Sequence, residues 1–388
     1  MRNIASSATL AVNAIAKEKK LRGQRVYNFA AGDPILQNHP YITARAIQQA
    51  EKGYAFYPPV EGIPDLRRLA AEWVNSTCGT TYEPGNVLVT CGGKYALFSV
   101  LYMLLDRGGE VLIPAPYWGS YPSIVTMCGG VPKIVVTSAQ QGWKLSAEEL
   151  AKHLTKDSRA LIINNACNPT GVLYSKQEID ELLALAHDAD LMVISDEVYS
   201  GLVYGSSSFA SCGCSEAHRD RVCVIQSCSK NFGMTGWRVG FAFVPGAMMR
   251  ELAAMQGQTT TGVSLISQWA AVGALENATA VNGYIKQAME RRRNLFVENF
   301  NSLFSQQIGT IESALYAFVP LAAMGVTDTV DSVSFCEQLI TSANIALVPG
   351  AAFGVDGHVR FAFSEPEEEI IEAFKVLKPA VERLAHVV

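Results

Sequence analysis

The sequence contains no Cys-x-x-Cys pair. Its nine cysteines and six histidines are scattered. Structural metal sites need thiolate and imidazole ligands at close, regular spacing, so no metal site is expected. Cys212 and Cys214 sit too near each other for the usual ligand pair. An odd cysteine count without a framework reads as reduced, buried thiols of a cytoplasmic protein. No apolar run approaches the roughly 20 residues that a membrane span needs. Charge is sparse, at 17% of residues, and the net balance is −5. That balance argues against nucleic acid or an anionic membrane as main partner. The opening stretch MRNIASSATLAVNAIAKEKK has the outline of a weak secretory signal but is not expected to act as one, because Ser6, Ser7, Thr9 and Asn13 break its apolar part and a lysine cluster follows. There is no internal repeat and no low-complexity tract. The run Arg291-Arg292-Arg293 reads as a solvated helix face.

What the chain does have is length and apolar content. With 388 residues, 49% of them hydrophobic, it can bury a large core and form two domains. Between about 86 and 245, short β-branched runs alternate with helical patterns such as Ser175–His187. The runs are Asn86–Thr90, Glu110–Pro114, Lys133–Thr137, Ala160–Asn164, Leu191–Ser195, Val222–Ile225 and Val239–Val244. This alternation predicts an α/β fold with a mostly parallel seven-stranded sheet buried on both faces. A helical segment from about 264 to 307 follows, then a smaller α/β region ending in the runs at 344–349 and 358–363. Ligands of such sheets bind at the carboxyl ends of the strands, so polar residues directly after each run are the ones to inspect.

After the first run, Gly92-Gly93-Lys94 opens an apolar helix whose bare N–H groups suit an anion, although a structural turn fits as well. Trp118 and its aromatic neighbours follow the second run, as core or as a surface for a flat ring. Asn168-Pro169-Thr170-Gly171 is explained by turn chemistry alone. Asp196, at the end of a buried run, is costly unless a cation faces it. Lys230 after the sixth run is costly unless it acts as nucleophile or base, or forms a structural salt bridge. Ser227, Ser229 and Arg238 around it suit a phosphate. Together these residues specify one ligand. It has a phosphate (Gly93, Lys94, Ser227, Ser229, Arg238) and a flat ring (Trp118). The ring has a cationic nitrogen for Asp196 and an oxygen for Asn168 and Tyr199, and an electrophilic carbon meets Lys230. Pyridoxal 5'-phosphate has these parts.

At this point the chain resembles the class I aminotransferases of fold type I, closest to the bacterial aspartate aminotransferases of the gamma subgroup. The resemblance runs nearly full length through YPPVEGIPDLR (57–67), GGKYALF (92–98), PAPYWGSYP (114–122), NPTG (168–171), SDEVY (195–199), SCSKNFGMTGWRVG (227–240), VPGAAFG (348–354) and HVRFAFS (358–364). It implies that Lys230 bonds the cofactor and shuttles the proton. It implies that Asp196 pairs with the ring nitrogen, that Asn168 and Tyr199 bind the ring oxygen, and that Trp118 stacks on the ring. Tyr57 would reach the phosphate from a neighbouring subunit. Arg360 and the backbone of Gly32 would hold the substrate α-carboxylate, with Trp118 and Asn168 alongside. The resemblance further implies a homodimer with sites at the interface. Its domains would be a strap and part of the small domain at 1–44, a large cofactor-binding domain at 45–275, and a linking helix with the rest of the small domain at 276–388.

Lys94 and Ser7-Ala8-Thr9 match residues that contact the distal carboxylate of dicarboxylic substrates. This favours aspartate as donor and 2-oxoglutarate as acceptor, with aromatic, prephenate or broad specificity as the alternative. Two segments depart from the family pattern. Its GEPDF strap reads Gly32-Asp33-Pro34-Ile35-Leu36 with one extra residue before Pro40, and its small-domain Pro-x-Gly-Ala-Phe-Tyr reads Ile311-Glu312-Ser313-Ala314-Leu315-Tyr316. Cys167 and Cys228 flank cofactor positions and read as small packing residues. A carbon–sulfur lyase would use the same cofactor residues, but the acidic-substrate match at Lys94 counts against it. A regulator with a degenerate domain of this type does not suit the intact Lys230.

Overall fold

All seven apolar runs become strands of one sheet. The computed structural model describes residues 7–385 apart from Tyr54, Ala55 and Asp328. The first six residues of the expected 1–44 segment and the last three of the 276–388 segment therefore lie outside the described residues. In chain order the strands are β1 (Tyr27–Asn28), β2 (Val87–Thr90), β3 (Glu110–Ala115), β4 (Val131–Val136), β5 (Ser158–Asn164), β6 (Met192–Asp196), β7 (Val222–Ser227), β8 (Gly240–Phe243), β9 (Tyr316–Pro320), β10 (Ile345–Ala346), β11 (Val348–Pro349) and β12 (His358–Ala362). The large sheet has the order β2-β8-β7-β6-β5-β3-β4. Strands β3 to β7 pair in parallel. Strand β8 is antiparallel to both β2 and β7, so β2 points the same way as β7.

Side chains alternate between the faces of a strand. Val87, Leu112, Leu161, Val193 and Val224 accordingly join one core. Leu88, Ile113, Ile162, Ile194 and Ile225 join another on the opposite face. A sheet apolar on both sides must be covered on both. Leu66 and Leu69 of helix Pro64–Cys78 and Leu182 of helix Lys176–Asp188 cover the first face. Leu97 and Leu101 of helix Gly93–Leu104 cover the second. Helix Lys176–Asp188 starts where the sequence predicts, because Ser175 and Glu178 form a reciprocal capping box.

The remaining strands build a smaller region from both chain ends. β11, β12 and β9 form an antiparallel sheet, and β1 pairs in parallel with β10. Helices Leu265–Glu276 and Ala278–Leu303 occupy the expected helical segment. An aromatic core ties these pieces together, with ring centroids of Phe29 and Phe361 at 5.5 Å and of Phe296 and Phe374 at 5.2 Å. Cys167 and Cys228 are buried, and burial raises both thiols above the usual range. Among the described residues no helix is long and apolar enough to cross a membrane.

The expectation for the triple-arginine run needs correction. Only Arg291 is solvated, in an exposed ion pair with Glu367 at 3.1 Å. Arg292 and Arg293 are buried. Arg292 donates to the carbonyls of Ser364 and, at 3.1 Å, of Ile35. Arg293 donates to the carbonyl of Ile311 at 2.7 Å and lies over the Tyr204 ring. The reason is helical geometry: consecutive residues turn by about 100°, so three in a row cannot share one face.

Replacing Arg293 by alanine is expected to lower stability by about 1–3 kcal/mol, since the Ile311 carbonyl loses its buried donor. Replacing Arg291 by alanine is expected to cost less than about 1 kcal/mol. Urea unfolding of the two variants checks this, and equal losses would return the whole run to solvent.

Candidate functional site

Strands that point the same way end at the same edge. Thr90 of β2, Ala115 of β3, Asn164 of β5, Asp196 of β6 and Ser227 of β7 all reach one edge of the sheet, and β8 starts there at Gly240. A cavity of about 430 Å³ opens along this edge and is closed by β12 and the N-terminal helix Ala8–Leu21. Gly32, Gly93, Lys94, Trp118, Asn168, Asp196, Tyr199, Ser227, Ser229, Lys230, Arg238 and Arg360 all line it. Tyr57 does not. It lies on the surface, 88% exposed, beside Phe56 at 72%. Of the Ser7–Thr9 segment only Thr9 lines the cavity. The Ser7 hydroxyl caps its helix, accepting from the Leu10 N–H at 3.4 Å.

One end of the cavity is built for an anion. Helix Gly93–Leu104 begins there, and the first N–H groups of a helix have no intrahelical acceptor. Ser227 caps the short helix Cys228–Asn231. Its Oγ accepts from the Ser229 N–H at 3.0 Å and lies 2.9 Å from Ser229 Oγ. Arg238 has φ +59°, a left-handed conformation uncommon outside glycine, and donates to the Thr235 carbonyl at 2.8 Å. Two glycines let these parts approach. A Cβ on Gly92 would sit 2.5 Å from Arg238 Nη2, and one on Gly240 would overlap the Gly93 backbone.

Asp196 and Lys230 occupy the middle. Asp196 Oδ2 accepts from the Tyr121 hydroxyl at 2.6 Å, while its buried Oδ1 has no hydrogen-bond partner among the described residues. Burial pushes its carboxyl up to about 6, against the opposing pull of the Tyr121 hydrogen bond. The neighbouring Glu197 faces the other way. It accepts from Ser195 Oγ, Ser211 Oγ and the Cys212 N–H. The contrast is informative, because one buried acid is saturated internally and the other keeps an oxygen for something else. Lys230 Nζ donates to the Gly32 carbonyl and forms no ion pair among the described residues. The salt-bridge alternative for Lys230 is therefore not what the structure holds.

At the far end Arg360 is only 2% exposed. It donates to Asn168 Oδ1 at 3.0 Å and to the Ala30 carbonyl at 2.6 Å, and its Nε has no partner. Its guanidinium lies 4.4 Å from the Tyr316 ring centroid and 5.0 Å from that of Phe353. Burial lowers its pKa, but a guanidinium stays charged. Tyr316 shares a buried 2.7 Å hydrogen bond with Tyr199, whose hydroxyl is raised by burial and by that neighbour. Lys94 Nζ lies 4.7 Å from the Trp118 ring centroid, and its pKa is lowered by burial and by Arg238. The cavity thus gathers four basic side chains around one buried acid, an arrangement suited to a ligand with more than one anionic group.

Asn164, Tyr121 and Tyr316 are among the lining residues that the sequence reading did not assign to the site. Asn164 ends a strand and follows from the strand-end rule. Tyr121 stood in the aromatic cluster after β3, but nothing local told it from core. Tyr316 stood in a segment read only as a departure from the family pattern.

Residues 24–377 match the family model of class I and II aminotransferases. The chain is 34% identical to the aspartate/prephenate aminotransferase of Thermus thermophilus, over 98% of this chain and 96% of that protein. It is 32% identical to the probable aspartate/prephenate aminotransferase of Aquifex aeolicus, over 97% and 96%. Among solved structures it superposes on the aspartate aminotransferase from Thermus thermophilus with maleate at a TM-score of 0.91, with 32% identity over 97% of each chain. The aspartate aminotransferase from Thermotoga maritima gives 0.90, with 32% identity over 98% of each.

The raised carboxyl of Asp196 carries a sign. The folded, ligand-free protein holds this proton up to about pH 6, whereas the unfolded chain releases it near 3.8. Stability therefore falls as pH rises through that window, by about 3 kcal/mol. Asp196→Asn is expected to flatten this part of the profile in urea unfolding from pH 4 to 7. Glu197, which burial raises to about 7, and Glu365, which burial also raises, keep part of the slope. An unchanged profile would mean that Asp196 is already ionised at pH 4.

Proposed function

The chain belongs to the class I and II aminotransferases, and from that premise we propose that it moves the amino group of aspartate to 2-oxoglutarate, using pyridoxal 5'-phosphate. The observation that carries the substrate reading is a pair of cations in one cavity, Arg360 and Lys94, neither with an acidic partner among the described residues. A buried guanidinium is expensive unless an anion joins it. Every amino acid and 2-oxo acid has an α-carboxylate for Arg360, and aspartate and 2-oxoglutarate have a second one for Lys94. Thr9, which lines the same cavity, supports the same reading. Leu10, which also lines it and is 65% exposed, supports aromatic or prephenate substrates as a second reading.

The residues fit the family's cofactor. The orphaned Oδ1 of Asp196 suits a protonated ring nitrogen, and the close approach that Gly92 and Gly240 allow gathers Gly93 and Arg238 near Ser227 and Ser229, a set of donors that suits a phosphate. Asn168 and Tyr199 would hold the ring oxygen, and Trp118 the ring face. Bound, pyridoxal phosphate supplies an electron sink for charge left on the substrate Cα. Arg360 binds the α-carboxylate and so presents the Cα proton to the cavity interior. Lys230 Nζ takes and returns that proton, and the Gly32 carbonyl is positioned to hold the amine. Donor and acceptor share one anchor at Arg360, so they bind in turn, in a ping-pong sequence.

Tyr57 supports a homodimer. Its exposure beside Phe56 and its distance from its own cavity suit a residue that completes a neighbour's phosphate site. The cysteines, most of them buried, support a reducing, cytoplasmic setting. The division into a 45–275 domain and a region built from 1–44 and 276–388 belongs to the same proposal.

A screen of amino donors against 2-oxoglutarate tests the function. In Lys94→Ala, kcat/KM for aspartate is expected to fall by about 30- to 1000-fold, as for a lost charge-assisted pair, while alanine or an aromatic donor loses far less. Arg360→Ala is expected to depress every donor together. Equal losses for aspartate and alanine in Lys94→Ala would move the assignment to a broad or aromatic specificity.

Subunit mixing tests the partner role of Tyr57. Tyr57→Phe is expected to weaken cofactor binding by about 1.5–3 kcal/mol, and Lys230→Ala to abolish transamination. Mixed dimers then carry one doubly impaired site and one intact site, so activity reappears. No recovery, with exchange demonstrated, would place Tyr57 outside the neighbour's site.

A further inference from the structure

Tyr316 touches three of the groups on which the proposed chemistry depends, and each contact is different. Its hydroxyl shares the 2.7 Å buried hydrogen bond with Tyr199. Its ring lies under the Arg360 guanidinium at 4.4 Å. Its ring edge packs where a side chain on residue 32 would stand, so Gly32 must be bare for Tyr316 to sit there. Gly32 in turn supplies the carbonyl that accepts from Lys230. Tyr316 is itself 2% exposed and opens β9, the strand that pairs with β12, so that Tyr316 faces Ala362, two residues beyond Arg360.

We propose that Tyr316 is a positioning residue that couples the carboxylate anchor Arg360 to the ring-oxygen partner Tyr199. The proposal rests on the aminotransferase reading with pyridoxal phosphate as cofactor. A hydroxyl has one proton to donate. If Tyr199 gives its proton to the ring oxygen, the shared bond has one permitted direction, with Tyr316 donating and Tyr199 accepting. A hydroxyl that accepts one hydrogen bond donates a stronger one. The Tyr316 hydroxyl therefore strengthens the contact of Tyr199 to the ring oxygen. Its ring does separate work, because the face of an aromatic ring attracts a cation and leaves the guanidinium edge free for a carboxylate. Arg360 has no acid to orient it, so ring faces and two neutral acceptors set its direction. The charged and titratable groups around Tyr199 are Tyr316 of β9, Arg360 of β12, Asp196 of β6 and Tyr121. Among the described residues, only Tyr316 bonds the Tyr199 hydroxyl directly.

The two roles separate by substitution. Tyr316→Phe keeps the ring and removes the hydroxyl, and Tyr316→Leu removes both. The readouts are the pH titration of the bound cofactor's absorption, with no substrate present, and the Kd for maleate as an unreactive dicarboxylate. In Tyr316→Phe the midpoint of the titration is expected to rise by about half a pH unit or more, because the anionic ring oxygen loses support. Maleate binding should stay within about twofold, since the cation–ring contact remains. In Tyr316→Leu the same rise should come with maleate binding weakened by about tenfold or more. An unmoved midpoint in Tyr316→Phe overturns the hydroxyl role, and this variant loses a single oxygen, so folding is not at issue. Unchanged maleate binding in a folded Tyr316→Leu overturns the ring role. Wild-type protein without any cofactor absorption would overturn the cofactor reading itself, which separates the two failures.

Discussion

The guanidinium of Arg360 is removed from water and, among the described residues, meets only neutral partners: one side-chain amide oxygen, one backbone carbonyl and two aromatic faces. Dipoles and rings hold a buried cation without cancelling it. The fold thus carries an unmet demand for negative charge at one fixed point. The same pattern recurs with opposite sign at Asp196, where one oxygen is satisfied and the other is not. Much of the cavity's architecture serves to keep these two groups close, dry and unpaired.

The parallel sheet makes that possible. Strands of the same direction bring their carboxyl ends to one edge, and each strand there is followed by a backbone segment whose polar groups the sheet cannot satisfy. Asp196, Ser227 and Lys230 reach the cavity as the direct continuation of apolar runs that are rigid because they are buried on both faces. The antiparallel β8 adds to the same edge from the other direction. Gly240 begins it where β7 ends, and this brings Arg238 back over the glycines that open helix Gly93–Leu104. The smaller region then covers the edge with β12 and β9, which bring Arg360 and Tyr316 to the cavity that Asp196, Ser227 and Lys230 line.

Local pattern served well wherever it coincided with the reason for burial. The seven strands were legible because buried parallel strands are continuous apolar runs. Ten of the twelve expected lining residues were legible because polar and aromatic groups just after such strands have few structural uses, whereas Gly32 and Arg360 followed only from the family resemblance. The arginine run failed by the same logic. Its three charges looked like a solvated face, yet a helix turns each one to a different neighbour, and Arg292 and Arg293 meet the carbonyls of Ile35, Ser364 and Ile311. Those partners lie far away in sequence, and no window around 291–293 contains them.

The amino-acid sequence by itself determined the sheet, its alternating faces, the strand-end chemistry and the family, because each follows from the order of residues along a few turns or strands. Only the tertiary structure decided which polar groups end up satisfied. Asp196 and Glu197 are adjacent acids at the end of the same strand, and nothing in their order says which keeps a free oxygen. Packing decides it, by turning Glu197 toward Ser195, Ser211 and the Cys212 amide and leaving Asp196 Oδ1 without a hydrogen-bond partner among the described residues. Tyr121 and Tyr316 acquire their roles in the same way. A tyrosine is core or site according to where its single hydroxyl finds a partner, and that partner is fixed by the fold.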